Sequence, residues 1–159
     1  MKRLALVCVL GAALLVPSNA LGATEGYSTT AAGKRAFTEF KFQVFLNGRG
    51  KPVRVGFFKF KGVDADCTEG PLSIDGKGFG KDRTGPNAAA RVEDKRFRRT
   101  YESNNDDDPE PEGTFRVKGR FKNHFQKVVG AFRVKGDFPL ADRTDCDSGK
   151  ERYTAGKLN

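Results

Sequence analysis

From Phe115 to Lys122 the chain reads FRVKGRFK, so Phe115, Val117, Gly119 and Phe121 alternate with Arg116, Lys118, Arg120 and Lys122. A helix would scatter both sets around its circumference. A strand sends them to opposite sides, so a strict period of two predicts a sheet with one buried and one wet face. The pattern recurs. Phe40, Phe42, Val44 and Leu46 alternate with Lys41, Gln43, Phe45 and Asn47, and Phe132, Val134 and Gly136 alternate with Arg133, Lys135 and Asp137. Fourteen Phe, three Tyr and no Trp make the core aromatic. The inward set includes Phe42, Phe58, Phe60, Phe115, Phe121 and Phe132, leaving Phe45 and Phe57 outward. Asn47-Gly48 signals a hairpin turn. Gly56 and Gly130, inside strand patterns, mark a bulge or a close backbone approach.

Two of these strands repeat each other. VGFFKFKG begins at Val55 and VGAFRVKG at Val129, with five of eight positions identical. Upstream, Phe40, Phe42 and Leu46 line up with Phe115, Val117 and Phe121, with one residue of slack in the turn. Downstream, both copies end in Asp-Cys-x-x-Gly, at Cys67 and Cys146. Each unit thus reads strand, turn, strand, loop, cysteine, glycine, over about 37–78 and 113–156. This is the pattern of an internal duplication at supersecondary scale. A short strand around Leu72 and Ile74, a hairpin turning at Asp94 and Lys95, and a closing strand in SGKERYTA complete about eight strands, with no helix. The expected fold class is all-β: an antiparallel β-sandwich or small barrel with an internal duplication of a hairpin-plus-Cys unit. It occupies one domain, 37–159. Residues 103–112, SNNDDDPEPE, form an acidic loop, and 24–36 a flexible N-terminal segment.

Residues 1–23 carry Lys2 and Arg3, then an apolar run over 4–16, then small residues that allow a cut near 20–23. This is the pattern of a signal peptide. Thirteen apolar residues fall short of the roughly 20 that a spanning helix needs. The expectation is a secreted, extracellular protein with no membrane span. Removing Lys2 and Arg3 from 29 basic residues leaves 27 against 20 acidic ones, a charge of +7. Cys8 leaves too, so Cys67 and Cys146 remain, and an even count in an oxidising compartment reads as a disulfide. Unpaired thiols or half a metal site are the alternatives, and the latter lacks the four ligands a structural zinc wants. Closing a loop of about 80 residues stabilises by roughly 4–5 kcal/mol in the chain-entropy model.

Residues 113–121 fit G-x-F-x-V-x-G-x-F, and residues 146–155 fit C-x-S-G-x-x-x-Y-x-A. In these motifs the chain resembles uncharacterised small secreted Phe-rich β-sandwich proteins of high-GC Gram-positive bacteria. The resemblance implies export and a β-fold. It implies no activity, and it names no cofactor or catalytic residue.

Acid–base chemistry normally needs a positioned pair of groups. His124 is the only histidine and falls in a hairpin turn, and no Ser sits in a nucleophile elbow. The carboxylates cluster in loops beside Gly and Pro, which leaves a carboxylate-based hydrolase as a distant alternative. No catalytic residue and no cofactor is expected. Asp106, Asp107 and Asp108 supply hard oxygen ligands of the kind calcium takes. Asp64, Asp66, Asp142, Asp145 and Asp147 flank the two cysteines. EF-hand spacing is lacking, so the reading kept is a solvated acidic loop offsetting a basic chain.

The strongest functional signal is the polar phase of the strands: Lys59, Lys61, Arg116, Lys118, Arg120, Lys122, Arg133 and Lys135, with no acid between them. Like charges across a sheet repel, so such a face needs counter-charge, from the acidic loop or from a ligand. Lys on strands also blocks edge aggregation. The leading expectation is a monomeric, secreted, non-enzymatic β-domain with an extracellular binding or structural role. The alternative is a polyanion-binding module whose partner is a cell-wall phosphate polymer, nucleic acid or acidic polysaccharide.

Overall fold

The period-two segments are strands in the computed structural model, which describes residues 23–29, 37–103, 113–138 and 141–158. The expected signal peptide up to residue 22, residues 30–36, and Asp106, Asp107 and Asp108 lie outside the described residues. The strands are β1 (Thr24–Thr29), β2 (Glu39–Leu46), β3 (Pro52–Cys67), β4 (Gly70–Phe79), β5 (Ala90–Arg91), β6 (Arg96–Ser103), β7 (Gly113–Lys122), β8 (Lys127–Phe138), β9 (Arg143–Asp147) and β10 (Glu151–Lys157). Every pairing between them is antiparallel, and no α-helix occurs among the described residues. One sheet holds them in the order β10-β1-β2-β3-β9-β8-β7-β6, with β4 and β5 paired to β3. β10 pairs with β8 as well as with β1.

The inward phase is as the alternation requires. Phe42, Phe58, Phe60, Phe115, Phe121 and Phe132 are all buried in one apolar cluster. Two glycines face each other beneath it. Gly119 pairs with Gly130, and a Cβ on Gly130 would stand 2.1 Å from the Lys118 carbonyl oxygen and 2.6 Å from the Tyr153 ring. The absent side chains make room for Tyr153, whose hydroxyl donates to that carbonyl at 3.1 Å. Gly56 is held to hydrogen in the same way, since a Cβ there would meet the Gly80 carbonyl oxygen at 2.1 Å.

Both expected hairpins form, and so does the turn at Asp94 and Lys95, where both residues have positive φ (47° and 61°). Two such residues are the signature of the two-residue turn that suits strand twist. The Asn47 turn is longer than its Asn-Gly pair suggests. The Asn47 carboxamide oxygen accepts from the backbone N–H groups of Arg49 and Lys51, and Gly50 takes the left-handed φ of 69°.

The structure corrects three expectations. Residues 24–29, read as part of a flexible segment, form β1. Tyr27 is fully buried, stacks on Phe42 at 5.4 Å and donates its hydroxyl to the Phe125 carbonyl. One aromatic anchor thus orders a stretch that is otherwise small and polar. β3 continues through VDADC where a loop was expected, because Val63 and Ala65 are buried and resume the period of two after a register shift past Phe60. β9 is a strand despite its charged sequence, held by pairing to β8. Ten strands therefore stand where about eight were expected.

Cys67 and Cys146 are bonded, 79 residues apart. Beside the bond Asp66 pairs with Asp147 across β3 and β9. Glu69 accepts from the Thr144 backbone N–H at 2.9 Å and from its hydroxyl at 2.6 Å.

Phe121→Ala should lower the free energy of unfolding by about 3–5 kcal/mol, the usual range for a buried Phe. Lys118→Ala, on the opposite phase of the same strand, should change it by less than about 0.5 kcal/mol. Urea denaturation of the two variants checks both values. Equal effects would overturn the phase of β7. Cys67→Ser/Cys146→Ser should lose stability of the order of 4 kcal/mol, as expected for so long a closed loop, measured by thermal melting against the oxidised protein.

Candidate functional site

The outward phase of β7 is Arg116, Lys118, Arg120 and Lys122, all exposed. Registry sets further cations beside them. Arg98 lies across from Lys118 and Arg96 across from Arg120 on β6. On the other side, Lys118 and Arg120 face Ala131 and Val129 of β8, and Ala131 faces Arg152 of β10. The rows thus read Arg98–Lys118–Ala131–Arg152 and Arg96–Arg120–Val129–Thr154. Paired cations of β6 and β7 wall one side of a floor of small apolar residues, and Arg152 stands on the other.

This floor belongs to a cleft of about 1030 Å³ that runs past the β5–β6 turn to Arg54, Arg83 and Arg91. Ten Lys and Arg line it against two acids, Glu93 and Asp94. The far end is tied down by polar contacts. Arg54 donates to the Arg83 carbonyl at 2.5 Å, and Arg99 donates to the Gly85 and Pro86 carbonyls at 2.9 and 3.2 Å. Cross-strand cations about 5 Å apart repel each other. Among the described residues, no carboxylate lies within ion-pair distance of Arg96, Arg98, Lys118, Arg120 or Arg152.

The eight cations singled out from the sequence divide into three groups. Lys118 and Arg120 line the cleft, and Arg116 and Lys122 continue its strand. Arg133 and Lys135 share the outward face, but Asp147 lies between them as a shared counter-charge. Its carboxylate takes a hydrogen bond from Arg133 Nε at 2.6 Å and lies 3.4 Å from Lys135 Nζ. Lys59 and Lys61 stand apart on β3, where Glu39 lies 3.3 Å from Lys59 Nζ and pairs in register with Lys61. The expectation of no acid among the eight is therefore corrected: Glu39 and Asp147 arrive from neighbouring strands. Arg96, Arg98 and Arg152 were not singled out, although Arg96-Phe97-Arg98 and Arg152-Tyr153 carry the same alternation. Strand order, which sequence periodicity does not give, is what seats them beside β7.

A second cleft, of about 730 Å³, lies near the disulfide and is lined by Asp64, Asp66, Asp147 and Glu151. Burial and then the Asp64 charge push the Glu151 carboxyl above its ordinary value. Of the aspartates flanking the cysteines, Asp147 is engaged with Arg133 and Lys135, and Asp145 uses its backbone N–H to bond the Asp137 carboxylate at 2.7 Å. Among the described residues, no group of three His, Cys, Asp or Glu side chains is placed to hold a metal ion. The calcium candidates Asp106, Asp107 and Asp108 fall outside the described residues. His124 sits in the β7–β8 turn, exposed. No helix among the described residues is long and apolar enough to cross a membrane. No family model, curated protein or solved structure matches the chain.

The Arg133 hydrogen bond holds the Asp147 carboxyl down at about 2, against an ordinary 3.8. A lowered carboxyl contributes stability that is present above the unfolded value and lost as pH falls toward the folded one. The stability difference between wild type and Asp147→Asn should therefore be constant above about pH 5 and shrink between about pH 4 and 2. Chemical denaturation at a series of pH values reads it out. A difference that does not change over that window would show that Asp147 titrates normally.

Proposed function

We propose that this protein is a non-enzymatic, secreted module that binds an extended polyanion on the outward face of β6, β7, β8 and β10. The observation that carries the reading is the charge of the cleft. Arg96, Arg98, Lys118, Arg120 and Arg152 converge with no carboxylate of the described residues beside them, in rows where like charges repel. A multivalent anion relieves that repulsion, and basic clefts concentrate such ligands from solution. The acidic loop expected over 103–112 departs from Ser103 and rejoins at Gly113, five residues along each strand from Arg98 and Lys118. Export is supported by the basic, apolar leader and by the Cys67–Cys146 bond.

The scaffold reading goes with it. The pairings from β8 through β10, β1, β2, β3 and β9 lead back to β8, which favours the small barrel over the sandwich. The octets support a duplicated hairpin unit. Phe58 and Phe132 are both buried, Lys59 and Arg133 both half-exposed, and Gly62 and Gly136 both at positive φ, 58° and 148°.

The mature protein should be retained on heparin at low salt and released as salt rises. With duplex DNA as probe, each neutralised phosphate contributes about −0.9 to the slope of log affinity against log salt, so four contacts give roughly −3.6. Reversal of Arg96, Arg98, Lys118 and Arg120 to Glu should abolish retention while leaving the circular dichroism spectrum unchanged. A wild-type protein that passes through heparin at low salt overturns the proposal.

A further inference from the structure

Phe57 is a bulky residue in a backbone conformation that bulky residues avoid. Its φ is +50°, and such values are outliers outside Gly, Asn and Asp. The cause is a bulge. Gln43 pairs with Gly56 and Lys41 with Lys59, so two residues of β3, Phe57 and Phe58, stand opposite Phe42 alone. Phe58 turns into the core, fully buried, while Phe57 turns out and is 42 % exposed. The matching place in the second octet is Ala131, where the backbone is ordinary strand. Glycine at position 57 would relieve the strain, and a polar residue would relieve the exposure. Strain held at one exposed residue points to a contact that residue makes.

Phe57 has a companion. Phe45 lies 5.9 Å away, ring centroid to centroid, on the outward phase of β2. Phe45 in turn pairs across the strands with Arg54, which lines the basic cleft. Exposed Arg49 and Lys51 occupy the turn that joins the two strands. The aromatic pair therefore adjoins the Arg54 end of the cation-lined cleft and is itself edged by cations.

We propose that the polyanion is a single-stranded nucleic acid, with its backbone along the cation walls and one or two unstacked bases on Phe45 and Phe57. Cationic grooves with adjacent aromatic platforms are the means by which single strands are held without sequence preference. A duplex keeps its bases stacked inside, and a phosphate or sulfate polymer has none to offer. This rests on the polyanion reading above and goes beyond it in assigning the aromatic pair a ligand contact.

The test is fluorescence anisotropy with labelled oligo-dT of twenty nucleotides and an abasic strand of the same length, at one fixed salt concentration. Phe57→Gly, which suits the left-handed backbone, and Phe45→Ala should each weaken oligo-dT binding roughly tenfold, within the range for loss of one stacked base. Both should leave abasic-strand binding within about twofold of wild type. Thermal melting establishes that both variants are folded. Equal affinity of wild type and Phe57→Gly for oligo-dT would overturn the platform, as would an equal loss on the abasic strand. In either case retention on heparin would leave the polyanion reading standing. Failure of the wild type to bind either strand or heparin would overturn both readings together. A dimer that Phe57→Gly abolishes while oligo-dT affinity is unchanged would reassign the aromatic pair to contact between two copies of the chain.

Discussion

Phe40 lies where the separate strands of this sheet become one body. It is fully buried, with its ring 4.6 Å from those of Phe132 on β8 and Tyr153 on β10. It also reaches Phe42, Phe58 and Phe115 at 5.7, 6.1 and 6.5 Å. Aromatic pairs at these separations are worth about 0.5–1.5 kcal/mol beyond the area they bury. Each strand meets its neighbour through hydrogen bonds, and this aromatic centre joins strands that are not neighbours, β2 to β8 and β10. The inward phase of every strand is subordinate to it, and so is the outward phase, since one follows from the other.

The outward cations inherit their positions from that packing. Gly119 and Gly130 must lack side chains for the Tyr153 ring to lie against the sheet. Directly outside them Lys118, Ala131 and Arg152 stand in one row. The small residues of the cleft floor and the long cations of its walls are therefore the reverse side of a core arrangement. The rows of cations stand close together because hydrogen-bonded strands stand about 4.8 Å apart, and the repulsion this creates is borne by the stability of the core beneath. A cation-lined face of this kind needs no moving part. Its geometry is set by registry.

Much of this was legible in the residues. Strict alternation places Phe115 and Phe121 inside and Arg116, Lys118 and Arg120 outside, because a pleated strand allows no other outcome. Cys67 and Cys146 were readable as partners from their number and from the signal-peptide pattern expected over residues 1–23. What periodicity cannot supply is which strand lies beside which. The cleft therefore came into view only through the β6–β7, β7–β8 and β8–β10 pairings, which bring Arg96, Arg98 and Arg152 to β7. The same blindness hid Asp147 and Glu39 as counter-charges, since each reaches its cations from another strand. β1 was missed because its order depends on one residue, Tyr27, whose partners Phe42, Phe121 and Phe125 lie far along the chain. The bulge at Phe57 was half legible: Gly56 announced an irregularity, but not which neighbouring side chain it would turn outward.

The first described strand pairs with the last described one, Tyr27 opposite Lys157 and Thr29 opposite Ala155. β10 also closes against β8, so the final strand fills a gap between two elements that are otherwise not neighbours. Without β10, among the described residues, neither of those edges has this partner. Contacts so distant in sequence form late, because loop-closure entropy opposes them until most of the chain is gathered, and all-β proteins of this kind fold in milliseconds to seconds. A chain emerging N-terminus first would present unpaired strand edges on β1 and β8 until β10 arrived. During that interval the Lys and Arg of the outward phase would act as guards against pairing with a neighbouring chain. The charges that line the finished cleft would thus have a task before there is a cleft.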